Sequence, residues 1–194
     1  IYGGTRFVFI VLIPVMVVMA VLFTFAWPYA QAGINALGGF IRSAGNFGLF
    51  IYGTLERLLI PTGLHHLVYT PFLYSSLGGT ATVGGQVLEG ARNIYYAEIA
   101  DPSVAVLSQS VIWDARGISK MFGLIGACLA MYQTARPENR EKIKPVLITA
   151  AVTSFIAGVT EPIEFSFLFV APILFVVHAV LAGSSFVVLN LLGC

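Results

Sequence analysis

Long apolar runs dominate the chain, separated by one extended polar stretch and several proline- and glycine-marked interruptions. Residues 7–29 carry no charge and exceed the roughly 20 residues an α-helix needs to cross the hydrocarbon core of a bilayer. This run predicts a membrane-spanning helix, with Arg6 anchoring one end, Trp27 and Tyr29 at the other interface, and Pro14 accommodated by neighbouring helices. Residues 32–52 are apolar but rich in glycine and hold Asn35, Asn46 and Arg42, which predicts a second helix packed inside protein. Residues 54–77 are interrupted by Pro61, Gly63 and Pro71. Residues 78–120 form the longest polar section and belong largely outside the hydrocarbon, with 104–113 a candidate short re-entrant or interfacial piece. Residues 121–132 are apolar yet short for a span and lead into a loop over 134–144. That loop carries Arg136, Arg140, Lys142 and Lys144, the densest basic cluster, so the positive-inside rule places it on the cytoplasmic side. Residues 145–159 and a run from Phe165 past Leu192 flank Thr160-Glu161-Pro162-Ile163-Glu164, as one hairpin or two helices joined at a break.

Composition fixes the class. Hydrophobic residues make up 58% of the chain and charged residues only 10%, against about 25% charged in soluble domains. Such a chain cannot cover a water-facing surface, so the fold class expected is an all-α integral membrane protein with lipid as a partner. A net charge of +1 with scattered basic residues argues against a nucleic-acid partner. Cys128 and Cys194 lie far apart among apolar residues and read as small hydrophobes, with no metal site or disulfide framework implied. The chain starts at Ile1 without a signal-peptide pattern, and its apolar periodicity still runs near Cys194. It is expected to be an internal fragment of a longer membrane protein.

Ionisable groups interrupt apolar sequence in two places, and a charge at mid-bilayer costs about 3 kcal/mol on insertion scales. The first is Glu56-Arg57, followed by Pro61, Gly63, His65 and His66. Pro61 removes a backbone donor and Gly63 permits positive φ, so a helix is expected to break there, beside protein or a watery cavity. Arg57 can fork hydrogen bonds to hydroxyls or a carboxylate, and a histidine can donate or accept. A structural Glu56/Arg57 pair with interfacial histidines is the plainer alternative. The second place is Gly158 to Phe165, where Pro162 suits the first turn of a new helix capped by Glu161 or Thr160. The positive end of that helix favours a carboxylate, and Glu161 and Glu164 would share a face. A solvated turn with two ordinary acidic caps is the alternative. Transporters build midplane sites from such interrupted helices. Phe72, Tyr74 and Trp113 are candidates to stack on a ring, although aromatic residues here are more commonly packing.

Glu56-Arg57 through His66, the Met121-Phe-Gly-Leu-Ile-Gly-Ala-Cys-Leu-Ala-Met-Tyr132 run and Gly158–Phe165 together resemble the glucose superfamily of phosphotransferase IIC permeases. Ile125-Gly126 and the following Thr134-Ala-Arg-Pro-Glu-Asn139 look more like its maltose and α-glucoside branch. The resemblance covers nearly the whole chain. It implies a multi-pass, homodimeric protein of the bacterial inner membrane, with two re-entrant hairpins around a sugar at the midplane. Residues 1–53 would serve packing and dimerisation, and 54–194 would form the sugar-binding transport region. By the same resemblance Glu161 would hydrogen-bond hydroxyls near the position to be phosphorylated, with His65 and the adjacent His66 at that end of the sugar. Arg57 would contact sugar or hold a site carboxylate, and Glu164 joins the substrate-binding set. No cofactor is implied, because the phosphoryl donor is a phosphocysteine on a separate IIB domain; neither Cys128 nor Cys194 has the neighbourhood of that cysteine. The rival readings are a proton-coupled sugar transporter, with Glu161 or Glu164 as proton carrier, and a purely structural helical subunit.

Overall fold

The computed structural model describes residues 3–193, with side chains from Val8 onward; Cys194 and the side chain of Arg6 lie outside the described residues. Two compact units divide the chain, 1–37 and 38–194. In the first, helix α1 (Gly3–Ser43) presents apolar side chains on every side, and all described residues up to Leu37 are exposed except the half-buried Gln31 and Ile34. The helix continues through Pro28 and past the expected end near Tyr29. The separate helix expected over 32–52 is therefore corrected: the chain breaks at Ala44, and α2 (Gly45–Leu58) begins there. Gly45 takes φ +57° at this turn, and the missing Cβ of Gly48 lets α2 fold back against the Ile41 carbonyl.

In the second unit the chain breaks after α2 as Pro61 and Gly63 predict. A 3-10 turn over Ile60–Thr62 ends at Gly63 with φ +72°, and α3 (His65–Tyr74) follows with Pro71 inside it. Pro71 does not interrupt the helix, against expectation. A hairpin of β1 (Thr80–Val83) and β2 (Gln86–Glu89) comes next, in antiparallel register with Val83 opposite Gln86. Gly84 and Gly85 form its two-residue turn with φ +57° and +80°, the positive pair a type I′ turn requires. This hairpin is the one sheet among the described residues and an addition to an otherwise helical fold. After α4 (Ala91–Ala100), a 3-10 turn over Gln109–Asp114 and a π-helical turn over Ser119–Gly123 lead into α5 (Leu124–Thr134).

Helix α6 (Pro137–Ala157) starts inside the stretch expected as a basic loop, because Pro137 preorganises a first helical turn where its missing N–H has no partner to lose. Of the basic cluster only Arg136 stays in the connection. Arg140 folds back to donate to the Gln133 carbonyl at 2.9 Å, closing the end of α5. Gly158 ends α6 with φ +68°, and α7 (Glu161–Leu168) and α8 (Pro172–Leu192) follow. The expected single break is thus two, at Gly158–Thr160 and again before Pro172. Among the described residues, two helices, α1 and α8, are long and apolar enough to cross a membrane.

Two apolar clusters organise this unit. In one, Tyr52 of α2 meets Phe72, Trp113 and Phe186 edge-on, with ring centroids 5.0 to 5.4 Å apart, and donates its hydroxyl to the Trp113 carbonyl at 2.8 Å. Phe72 and Trp113 are therefore core, while the Tyr74 hydroxyl receives a hydrogen bond from Arg92. In the other, Leu124, Cys128, Ala150, Ile163, Phe167 and Phe175 join α5, α6, α7 and α8. Cys128 is buried there, as its apolar setting predicts. Helix α8 reaches both clusters, and it meets α2 backbone to backbone. A Cβ on Gly53 would lie 2.9 Å from the Gly183 Cα, and one on Gly183 would lie 2.5 Å from the Phe50 carbonyl oxygen. Small residues at such a seam let membrane helices approach closely.

The backbone at Gly183 cannot yield as a flexible side chain would, and overpacking costs about 1–3 kcal/mol. Gly183→Ala should therefore lower the thermal midpoint of the purified protein by about 3 °C or more. Gly126→Ala, where nothing lies within 4 Å of the added methyl, should leave it unchanged or slightly raised. Equal midpoints for the two variants would refute the close seam.

Candidate functional site

Arg57 stands in the last turn of α2 and is 1% exposed. A guanidinium cannot shed its charge in protein, so its burial demands partners. Its Nη1 donates to Glu164 Oε1 at 2.9 Å and, more weakly, to Thr160 Oγ1 at 3.4 Å; its Nη2 donates to Ser119 Oγ at 3.1 Å. Ser119 comes from the π-helical turn, Thr160 from the α6–α7 break and Glu164 from the first turn of α7, so two interruptions of regular helix converge on one side chain. Thr160 occupies the N-cap position of α7, yet its side chain makes no capping bond and serves Arg57 instead. The Glu56/Arg57 pair considered from the sequence does not form. Adjacent residues on a helix point in different directions, and Glu56 accepts from Arg116 Nη1 at 3.3 Å.

From Arg116 the charges continue outward. Its Nη2 donates to Asp114 Oδ1 at 3.2 Å, and Asp114 also accepts a bidentate pair from Arg92, at 2.8 Å from Nε and 2.7 Å from Nη2. The carboxylate raises Arg92 further above its already high pKa. The Arg116 guanidinium lies 4.3 Å from the centre of the Tyr69 ring, a cation–π contact, and the Tyr69 hydroxyl is hydrogen-bonded to His66 Nδ1. Lys120 donates Nζ to the Gly158 carbonyl at 3.3 Å, and Ser154 Oγ donates to the Lys120 carbonyl at 2.7 Å, which ties the π turn to the end of α6.

These groups border a cavity of about 490 Å³, inside the roughly 300–1,000 Å³ range of small-molecule sites. Of the residues selected from the sequence, Arg57, His65, His66 and Glu161 line it. His65 and His66 both face it, with rings 4.1 Å apart. Glu164 does not reach the wall; it is fully buried behind Arg57, where His178 Nε2 of α8 lies 3.2 Å from the same Oε1. Phe72, Tyr74 and Trp113 are not among the lining residues. Glu56, marked in the sequence beside Arg57, also lines the cavity, as do Tyr69, Arg116 and Lys120, which the sequence pattern does not single out. Among the described residues, buried Glu56 Oε2, Glu161 Oε2 and His65 Nδ1 have no hydrogen-bond partner. The walls thus pair acidic groups with basic ones, and three of the lining residues each keep one buried polar atom unpaired. That arrangement suits a neutral, hydroxyl-rich solute better than an ion. No group of His, Cys, Asp and Glu able to hold a metal ion is found among the described residues.

Comparison with known proteins gives a family match and close relatives. Residues 1–183 match the family described as "Phosphotransferase system, EIIC". The PTS system maltose-specific EIICB component of Escherichia coli (strain K12) is 45% identical over 99% of the chain, which covers 37% of that relative. The phosphotransferase IIC component GlvC of the same organism is 44% identical over the whole chain, covering 52% of its length. The PTS system alpha-glucoside-specific EIICB component of Klebsiella pneumoniae is 43% identical, again over the whole chain and 35% of the relative. The chain therefore spans about a third to a half of the curated relatives it matches.

Removing one partner of a buried ion pair strands the other and costs about 3–5 kcal/mol. Glu164→Leu or Arg57→Met should each destabilise the purified protein by that order in denaturant titrations, and the double substitution by clearly less than the two together. Additive losses would mean that the pair does not act as a unit.

Proposed function

This chain belongs to the phosphotransferase system EIIC family, and on that premise we propose that it is the sugar-binding part of a permease for maltose or a related α-glucoside. In this reading the permease presents a sugar hydroxyl to a phosphorylated IIB domain. The sugar class and the IIB partner are supported by the maltose and alpha-glucoside specificities and the EIICB composition named for the relatives. The observation that carries the reading is the cavity lined by Arg57, His65, His66 and Glu161, with Arg57 locked from behind by Glu164.

A sugar hydroxyl is a weak nucleophile until a base takes its proton. Glu161 stands in the first turn of α7 and lines the cavity. Its carboxylate accepts the proton as the sugar oxygen attacks phosphorus. The sulfur–phosphorus bond on IIB breaks as the oxygen–phosphorus bond forms, and the thiolate leaves with IIB. His65 and His66 position the same end of the sugar. Arg57, held by Glu164, donates to sugar oxygens, and catalysis otherwise consists of placing the reacting groups in line. Residues 54–194 form the transport region, with re-entrant hairpins at the Pro61–Gly63 and Gly158–Pro162 breaks. Residues 1–53 serve packing and homodimerisation in a multi-pass protein of the bacterial inner membrane. Because the phosphorylated product is charged, it binds differently and does not return across the bilayer.

The test is a binding screen of glucose, maltose and other α-glucosides on the intact protein, together with the chemical state of accumulated sugar. Uptake should need phosphoenolpyruvate and deliver sugar phosphate; unmodified sugar driven by a proton gradient would overturn the reading. Glu161→Gln should lower the phosphorylation rate by about 100-fold or more, the order of a lost general base, with sugar affinity changed far less. Arg57→Lys should weaken sugar binding, because one ammonium cannot reproduce the fork to Glu164 and Ser119.

A further inference from the structure

We propose that His178 is a positioning residue of this site: from α8 it fixes the Glu164 carboxylate, and through it the Arg57 guanidinium at the cavity wall. The inference rests on the sugar-binding reading above and adds a residue which that reading does not use.

Glu164 is fully buried, and both its donors converge on Oε1: Arg57 Nη1 at 2.9 Å and His178 Nε2 at 3.2 Å. Its other oxygen, Oε2, has no partner among the described residues. The terminal torsion of glutamate is broad and roughly two-fold, so it does not fix the carboxylate plane by itself. With Arg57 as sole donor, guanidinium and carboxylate can rock together about one contact. A second donor, anchored on a different helix, removes that freedom. An ionised carboxylate only accepts, so the imidazole carries its hydrogen on Nε2.

The imidazole is itself held. The Phe167 ring of α7 meets it edge-on, with centroids 5.7 Å apart at 81°, and Phe175 lies one turn back along α8. The depth of His178 against Arg57 is set by the glycine seam. Gly53 lies four residues before Arg57 on α2, and Ala182 and Gly183 lie four and five residues after His178 on α8. Both seam glycines are buried at the contact of the two helices. His178 does not line the cavity. Any effect it has on sugar therefore passes through Glu164 and Arg57.

The experiment uses the full-length permease, with maltose as probe, and compares wild type, His178→Leu and His178→Gln. The leucine variant should raise both the maltose Kd and the KM for phosphorylation about tenfold, the order of one hydrogen bond to a charged group, with kcat nearly unchanged. The glutamine variant, whose amide still donates, should stay within about threefold of wild type. A merely structural histidine would lower the thermal midpoint of the leucine variant and leave KM alone. Where the leucine variant does not fold, His178→Ala is titrated with free imidazole; returning maltose affinity supports the role, and none overturns it. Wild type that binds maltose beside an unaffected leucine variant would overturn the role of His178 alone. Wild type that binds no α-glucoside would remove the sugar-binding reading and this one with it.

Discussion

A guanidinium shut away from water at 1% exposure is the constraint around which the second unit is arranged. Arg57 cannot neutralise itself, and its compensating carboxylate lies 107 residues further along the chain. Until α7 is in place, the end of α2 carries a buried charge with nothing to balance it. The pair therefore joins, alongside helix α8, the two apolar clusters, the Tyr52 aromatic group and the Leu124–Phe167 group. The cavity opens along this polar seam.

The outer charges show the same economy of pairing. Glu56, Arg116, Asp114 and Arg92 alternate in sign from the buried interior to the half-exposed α4, each satisfying the next. Such a ladder holds irregular backbone, the 3-10 turn and the residues after it, where no helix ladder supplies hydrogen bonds. It also keeps the neighbourhood of the cavity nearly balanced in charge.

Much of the helical framework was legible because membrane helices announce themselves by length and lack of charge. The interruptions at Pro61–Gly63 and Gly158–Pro162 were legible too, since proline and glycine act locally. Continuity was harder. Pro28 looks like an end, yet a proline inside a long apolar helix is tolerated, and Pro137 looks like loop but starts α6. The Gly84–Gly85 turn was a readable hairpin signal masked by its polar surroundings. For the site, sequence pointed to Arg57, His65, His66 and Glu161, which line the cavity, and to Glu164 behind it. Which acid pairs with Arg57 was not legible, because the choice between adjacent Glu56 and distant Glu164 is made by tertiary packing. Arg116 and Lys120 were hidden in a stretch that reads as solvated. His178 left one faint mark, a single ionisable residue in the middle of an otherwise uncharged α8.

The π-helical turn over Ser119–Gly123 has a consequence for how this chain tolerates change. Each residue of an α-helix turns the following side chains by about 100°, and a π turn accommodates one residue more than an α turn. Ser119 therefore faces Arg57 while Leu124 and Cys128, just downstream, face the other apolar cluster. Deleting one residue here would let the π turn close as an ordinary α turn with α5 kept in phase, whereas deleting one within α5 itself would rotate everything after it by about 100°. The chain should therefore absorb the loss of one residue at this turn while rejecting the same loss a few positions further along.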